Sequence, residues 1–383
     1  MIFIKETSPH IRRKDSAWMM MLDVIIALLP TFIFAAVIFP FNTLINFLVS
    51  GIIMVACEIA YIGLTHMMPK DGDKHSFKEK FEYAYKGRIK LVNIISPLVT
   101  AMIYTLITPS GAPLYSVVVG AFIGLIFGKL VFGGLGNNIF NPAAVGMVAT
   151  KLSFGSNYGK YLALPEWFAS ASTEIGGTVL GNVSSSGFDV INNLNFLDMF
   201  LGKMPGTLGE VYSITILIGL IYLMIRRTID FRVVFAYFGT FIGMMLIAGL
   251  CVNSIVPTVT FYDFTLFQLL SGGVLFGGVF MFTDPVTGPI TKPGRLIFGM
   301  IGGVLTVMIR LFDALPEGVA ISLLIANMFV PVIDFPKWSN TKYTWKNILT
   351  MSLIFIIPTI IMIISLLFGG VVKWWIKTLN ITF

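Results

Sequence analysis

Residues 18–39 read WMMMLDVIIALLPTFIFAAVIF, and Asp23 is the one charged residue among them. An α-helix rises 1.5 Å per residue, so about 20 predominantly apolar residues cross the hydrocarbon core of a bilayer. This block is long enough to cross. It is also too long for the apolar part of a typical signal peptide and lacks a small-residue cleavage site. The stretch therefore predicts a first transmembrane helix.

The rest of the chain repeats this pattern. Of 383 residues, 56% are hydrophobic and 12% are charged, whereas a soluble domain has about 25% charged residues. Together these features predict an all-α polytopic membrane protein with about ten or eleven transmembrane helices. The apolar blocks cover 18–39, 43–66, 93–108, 113–131, 137–152, 211–225, 232–251, 265–283, 295–310, 317–333 and 348–372.

The basic residues predict the orientation of these helices. With the N-terminus in the cytoplasm, all but six of the 26 Lys and Arg residues lie on or near the inner side, as the positive-inside rule requires. The same placement explains the net charge of +7 without any nucleic-acid partner. The six exceptions are Lys151, Lys160, Lys203, Arg310, Lys373 and Lys377.

A weak internal repeat divides the chain. TPSGAP (108–113) precedes a Gly-rich block and NIFNP (138–142), and TDPVTGP (283–289) precedes another Gly-rich block and NMFVP (327–331). Five blocks per half would give the two halves opposite orientations, as in transporters built from inverted repeats with broken helices. Chance similarity among Gly-rich helices is the alternative. The predicted parts are a cytoplasmic segment (1–17), a first repeat (18–152), an extracytoplasmic loop (153–210), a second repeat (211–333), and a last part (334–383) with a cytoplasmic loop, the final helix and the tail.

The stretch GGLGNNIFNP (133–142) is unusual for an apolar helix. Glycines permit close backbone approach, and a broken helix exposes amide groups that a ligand can use. Asparagine amides both donate and accept hydrogen bonds. We therefore predict that Gly136, Asn137, Asn138 and Asn141 bind a cofactor or ion, with helix packing through small residues as the alternative.

The second informative stretch is FTDPVTGP (282–289). It places Thr283 and Asp284 at the inner end of a predicted helix, just before a proline. Asp284 is a simple helix-end carboxylate if it pairs with Arg295. Otherwise it is a candidate ligand of a cation or a flavin, and the sequence leaves both open.

Three more carboxylates lie in or beside predicted helices. A charge at the centre of a bilayer costs about 2.5–3.5 kcal/mol on insertion scales, so such residues are functional candidates. Glu58 lies deepest and is the first candidate as a cation ligand, whereas Asp23 and Asp334 lie near the membrane surface and fit a structural role equally well. Three histidines and two cysteines show no spacing typical of a metal site.

Taken in order, these stretches resemble the family of the RnfD and NqrB proteins, which are membrane subunits of the Rnf complex and of the sodium-pumping NADH:quinone reductase. The resemblance also covers the N-terminal stretch SPH (8–10), MLDVIIALLP (21–30), GKMPGTLGE (202–210), GRLIFG (294–299) and PEG (316–318). The N-terminal stretch and the GRLIFG run are more similar to the Rnf protein.

The resemblance implies a flavin-carrying membrane subunit of an Rnf-type ferredoxin:NAD⁺ oxidoreductase that couples electron transfer to Na⁺ or H⁺ export. It implies partner membrane, flavin and iron–sulfur subunits, membrane lipid, and a place in the bacterial inner membrane. It also implies FMN bonded to a threonine of the outer loop, with a second, noncovalent flavin such as riboflavin as a possibility. The family motif is approximately DxxSGAT, and the nearest match here is EIGGTVL (174–180). That match makes Thr178 the candidate attachment residue, although Ile175 and Gly177 replace the motif's serine and alanine.

Two other functions fit the same residues. A stand-alone channel or carrier for a small polar solute could be built from the same broken helices. A flavin-free scaffold protein of the complex would explain the altered threonine motif. The sequence contains no nucleotide-binding loop of the Walker or Rossmann type, so any NADH or ferredoxin chemistry is expected on partner subunits. The resemblance implies an electron-transfer subunit of a larger translocase rather than a self-contained enzyme.

Overall fold

The structure, a computed structural model, is mostly helical in the part of the chain that it describes. Residues 17–66, 85, 89–159, 161–168, 191, 194–255, 257–312, 318–335 and 342–368 are described, and they contain no β-strand. The helices are α1 (Ala17–Ile38), α2 (Pro40–His66), α3 (Val92–Ile107), α4 (Leu114–Gly128), α5 (Pro142–Phe154), α6 (Phe196–Leu201), α7 (Ser213–Arg226), α8 (Phe231–Ile255), α9 (Phe261–Leu270), α10 (Val274–Phe276), α11 (Lys292–Phe312), α12 (Val319–Ile333) and α13 (Trp345–Phe368).

Several of these helices are of membrane-spanning length. Within the described residues, six are long and apolar enough to cross a bilayer: α1, α2, α4 with the turn after it, α8, α11 and α13. The pair Phe261–Leu270 and Val274–Met281, bent by 64°, is a seventh if it forms one span. The all-α polytopic class predicted from composition is confirmed. Ten crossings would also require the three shorter apolar helices α3, α7 and α12.

Two predicted blocks differ from the observed helices. The block 137–152 is not continuous, because residues 133–141 are irregular and α5 begins only at Pro142. The block 265–283 begins earlier, at Phe261, and breaks at residues 271–273. Gly272 lies in this break at φ +60°, a conformation that glycine adopts without steric cost. Hydropathy detects neither break, but the composition of GGLGNNIFNP (133–142) predicted the first one.

The two halves share an order of helix packing. In the first half α2 packs against α3 and α4, and α4 packs against α5. In the second half α8 packs against α9 and α11, and α11 packs against α12. The helices that correspond across the halves also meet, since α1 packs on α7 and α5 packs on α12. The order of helix packing is therefore the same in both halves, and the two-repeat division expected from the sequence stays a prediction.

Small residues hold α4 and α5 close together. A Cβ added to Gly124 would lie 2.6 Å from the Pro142 carbonyl oxygen, and one added to Gly128 would lie 2.6 Å from the Pro142 Cα. Because any larger side chain would force the helices apart, these glycines fix where α5 begins relative to the end of α4.

The segment 204–213, which precedes and begins α7, is buried along its whole length. It pairs with the end of α3: the Leu208 amide donates to the Thr108 carbonyl (3.1 Å) and the Gly209 amide donates to the Leu106 carbonyl (2.8 Å). Pro109 and Thr207 form an isolated antiparallel bridge beside these bonds. The last part of the predicted outer loop is therefore fixed to the helical bundle.

Candidate functional site

The first break in the bundle follows α4. Lys129 leaves the helical conformation (φ −134°), a single 3₁₀ turn follows, and Gly133, Gly134 and Gly136 all adopt positive φ. The chain returns to a helix at Asn141, whose Oδ1 accepts hydrogen bonds from the backbone amides of residues 143 (3.0 Å) and 144 (3.3 Å). Asn141 is thus the N-cap of α5, a role that satisfies otherwise unpaired helix donors.

The second break is the irregular stretch after α10, which is separate from the bend at residues 271–273. Residues Gly277–Met281 form a π-helix, a form that is rare and frequent at functional sites. The Thr283 hydroxyl donates to the Val279 carbonyl. The Asp284 carboxylate accepts from the Val286 amide (3.0 Å) and the Thr287 hydroxyl (3.2 Å). A local turn therefore holds Asp284 just beyond the end of the helix.

The two breaks meet at a small chamber of about 70 Å³. A cavity of about 150 Å³ is the size that holds benzene, so this chamber accommodates water or a small ion but not three fused rings. Asn138 is 7% exposed, and its Oδ1 accepts no hydrogen bond within the described residues. An acceptor of this kind is suited to a cation or a water molecule. The polar lining consists of Ser96, Thr100, Lys129, Asn138, Asn141, Thr228, Thr283 and Asp284.

A wider cavity of about 590 Å³ adjoins the chamber. Its volume lies in the range of small-molecule sites, about 300–1,000 Å³. Phe231 supplies aromatic surface, and Arg227 and Arg295 supply positive charge. The residues common to both cavities are Met20, Thr228, Ile229, Thr283, Asp284 and Pro285. The Asp284 region is therefore where one cavity leads to the other.

An ion-pair network lines the wider cavity. Asp230 accepts from the backbone amide of Arg232 (2.9 Å), and its carboxylate pairs with the guanidinium groups of Arg232 (3.1 Å) and Arg295. Burial raises the pKa of the Asp230 carboxyl, but the backbone bond from Arg232 and the Arg295 guanidinium outweigh burial and lower the pKa below its usual range. Arg295 is thus engaged by Asp230, and Asp284 is not its observed partner.

The structure brings together only some of the residues predicted to bind a cofactor. Asn138 and Asn141 come from the first break and Thr283 and Asp284 from the second, and all four line the chamber. Gly136 and Asn137 are exposed and lie outside both linings. Thr178 lies outside the described residues.

The three predicted cation ligands are separate, and each has a partner of its own. Among the described residues no group of three or more His, Cys, Asp and Glu side chains occurs. Glu58 is not a lone carboxylate, because its Oε2 lies 2.9 Å from the Lys129 ammonium. The Asp334 carboxylate accepts from the Ile290 amide at 2.9 Å. The Asp23 carboxylate accepts from Tyr222 (3.1 Å), Arg226 (3.2 Å) and Thr228 (3.0 Å).

Sequence reasoning missed Lys129 as a site residue. It was grouped with the basic residues that orient the helices, but its side chain is 2% exposed and donates to the Ser96 hydroxyl at 3.1 Å. Its position inside the predicted block 113–131 was the available signal, because a lysine within an apolar span requires a partner. The partner, Glu58, lies 71 residues earlier and could not be assigned from spacing.

These features define a class: a polytopic all-α membrane protein with a buried polar chamber between two broken helices. The chain belongs to the NQR2, RnfD, RnfE family, whose model matches residues 4–342. The resemblance inferred from the sequence motifs is thereby confirmed.

Two relatives illustrate the match. The chain is 36% identical over 253 residues to a subunit of the Na(+)-translocating NADH-quinone reductase of Chromohalobacter salexigens, an overlap of 65% of this chain and 60% of that protein. It is 29% identical over 345 residues to a subunit of the proton-translocating ferredoxin:NAD(+) oxidoreductase complex of Clostridium ljungdahlii. That overlap covers 87% of this chain and 94% of that protein. The chain therefore spans about 60% of the length of the quinone-reductase protein.

Proposed function

We propose that this chain is a membrane subunit of an Rnf-type ion-translocating oxidoreductase, which carries flavin and couples electron transfer to the movement of Na⁺ or H⁺. The observation that carries the proposal is the convergence of Asn138, Asn141, Thr283 and Asp284 on one chamber. These residues come from breaks in the two halves of the chain, the position at which inverted-repeat transporters build their sites. Near full-length similarity to a protein of a ferredoxin:NAD(+) oxidoreductase complex supports the choice of complex.

The chamber is proposed as the cation site. The Asp284 carboxylate and the unpaired Asn138 Oδ1 are oxygen ligands of the kind that Na⁺ takes, and Asp284 alone can hold a proton. The wider cavity gives the ion access to Asp284 from the end of the bundle that carries Arg226 and Arg295. We propose that this end faces the cytoplasm, which places the N-terminus inside a bacterial cell membrane.

The wider cavity is the proposed site of a noncovalent flavin. Its aromatic and basic lining fits a ring system with an electron-rich edge, and its volume is sufficient, whereas the chamber is too small. Phe231 would contact the ring, and Arg295 would face its polar edge. A bound flavin supplies one-electron transfer. Asp284 lines both cavities, so a change in the charge of a flavin in the wider cavity would alter the ion affinity of the chamber. Coupling of electron transfer to ion movement requires such a difference in ion affinity between the two redox states.

The covalent flavin is tested by in-gel fluorescence after denaturing electrophoresis. The wild-type chain, Thr178→Ala and the neighbouring control Thr173→Ala would each be co-expressed with the native partner and flavin-transferase genes. A band that is fluorescent in the wild type and control but absent from Thr178→Ala supports FMN on Thr178. A band that survives in Thr178→Ala moves the attachment to another residue. A wild-type band without fluorescence refutes covalent attachment.

Ion transport is tested in vesicles that contain the assembled complex. Asp284→Asn is expected to lower redox-driven ion uptake at least tenfold, because it removes the carboxylate from the chamber. Asp263→Asn is the matched control, since Asp263 lies in the first turn of α9, away from both cavities. Uptake of solute by the wild-type chain without a redox partner would instead identify a stand-alone carrier. Assembly with partners but without flavin or uptake would identify a scaffold.

A further inference from the structure

Lys129 places a positive charge in the wall of the chamber. Its ammonium lies 2.9 Å from Glu58 Oε2, within ion-pair distance but without an aligned hydrogen bond, and donates to Ser96. The same side chain lines the chamber together with Asp284. Lys129 thus pairs with one carboxylate, Glu58, and shares the chamber with another, Asp284, from a different part of the bundle.

The formal charges at the chamber do not cancel. Asp284 accepts from a backbone amide and a hydroxyl, and it has no cationic partner of its own among the described residues. Glu58 and Asp284 contribute −2 and Lys129 contributes +1, which leaves −1. Asp284 is partly buried, and an uncompensated charge partly removed from water is costly. One monovalent cation in the chamber would bring the sum of charges to zero. Asn138 Oδ1, buried and without a donor, offers that cation a further ligand.

We propose that Lys129 is a tethered counter-ion that limits the chamber to one monovalent cation. The proposal rests on the cation site proposed above. With Lys129 in place, a monovalent cation brings the chamber to neutrality, whereas a divalent cation would leave a buried charge of +1. Without Lys129 the chamber would carry −2 and would favour a divalent ion. The residue therefore sets the valence of the ion rather than binding it.

The test measures Mn²⁺ binding to the purified complex by electron paramagnetic resonance. Lys129→Met is expected to gain one Mn²⁺ site per chain, with an affinity at least about tenfold above the wild type, because it adds one net negative charge at short range. Lys129→Met/Glu58→Gln and Lys129→Met/Asp284→Asn return the charge to −1 and are expected to lose that site. A lysine needed only for folding would produce no new Mn²⁺ site. An assembled Lys129→Met complex that binds Mn²⁺ no more tightly than the wild type overturns the proposal, as does a new site that survives Asp284→Asn.

A second pair of variants keeps the test decisive if Lys129→Met does not assemble. Asn141→Asp retains a cap for α5 while adding a charge. In Asn141→Asp/Glu58→Gln the formal charge of the chamber is −1. Adding Lys129→Met makes that charge −2, so the two variants differ only in the charge of Lys129. Tighter Mn²⁺ binding by the triple variant supports the proposal, and equal binding overturns it. Failure of the proposed function is separate, because it would appear as a wild-type complex without redox-driven ion uptake.

Discussion

Removing either member of the Glu58–Lys129 pair should destabilise the fold far more than removing both. The side chains are 3% and 2% exposed and their charged atoms are 2.9 Å apart. With an effective dielectric constant of about 20, two unit charges at that distance attract by about 6 kcal/mol. Most of this attraction offsets the cost of taking both charges out of water, so the net contribution of the pair is small.

The cost of a single substitution is different, because it leaves one charge buried without its partner. Glu58→Gln and Lys129→Met are each expected to lower the free energy of unfolding by about 3–5 kcal/mol. The double variant is expected to lie within about 1 kcal/mol of the wild type. The coupling free energy of the cycle is then several kcal/mol, well above the about 0.5 kcal/mol within which independent sites add.

The cycle would be measured by urea unfolding of the purified chain in detergent, followed by tryptophan fluorescence. The control cycle uses Lys203 and Asp198, whose charged atoms are 3.5 Å apart and whose side chains are 35% and 16% exposed. Exposed pairs of this type couple by about 0.2–1 kcal/mol. If the Glu58–Lys129 cycle gave a coupling no larger than the control, the buried ion pair would be refuted.

Three further predictions concern other parts of the site. Asn141→Ala should lower the free energy of unfolding by about 2 kcal/mol, the upper range for a helix cap, because two backbone amides lose their acceptor. Asn141→Asp should retain most of that stability, and equal losses of the two variants in chemical unfolding would contradict the cap. Gly124→Ala should cost about 1–3 kcal/mol, since its Cβ would lie 2.6 Å from the Pro142 carbonyl oxygen, and an unchanged unfolding midpoint would contradict the close contact. Burial raises the pKa of Asp230, but Arg232 and Arg295 outweigh burial, so the pKa is lower in the folded protein than in the unfolded chain. The carboxylate therefore contributes its full stability above about pH 4 and loses it as the pH falls through the pKa of the folded state. The stability difference between the wild type and Asp230→Asn should therefore shrink below about pH 4, and a difference independent of pH would contradict the network.

The positions of the long helices were predicted well from the sequence, because a segment that crosses a bilayer must be apolar along its length and hydropathy measures that property. The predicted blocks 18–39 and 295–310 correspond closely to Ala17–Ile38 and Lys292–Phe312. Block boundaries were less accurate where helices break, as at residues 133–141. A glycine with positive φ and an asparagine cap change the backbone without changing mean hydropathy.

The candidate site could be predicted only in part. Asn138 and Asp284 were singled out because polar groups at membrane depth are costly, and the same cost makes them line a cavity. Lys129 could not be paired with Glu58, since the contact depends on how α2, α3 and α4 pack. Asn141 was predicted as a ligand, and the structure gives it a capping bond that a linear motif does not distinguish from ligand binding.

The attachment of segment 204–213 to the helical bundle affects electron transfer under the proposed function. Tunnelling rates fall steeply with the distance between donor and acceptor, so a redox group on a freely moving loop would transfer electrons at widely varying rates. Here the carboxyl-terminal end of the outer loop is bonded to the end of α3 through Leu208 and Gly209. That attachment fixes the point at which the outer loop rejoins the bundle, so the length of the intervening chain sets an upper limit on the distance between a group on Thr178 and the end of α3.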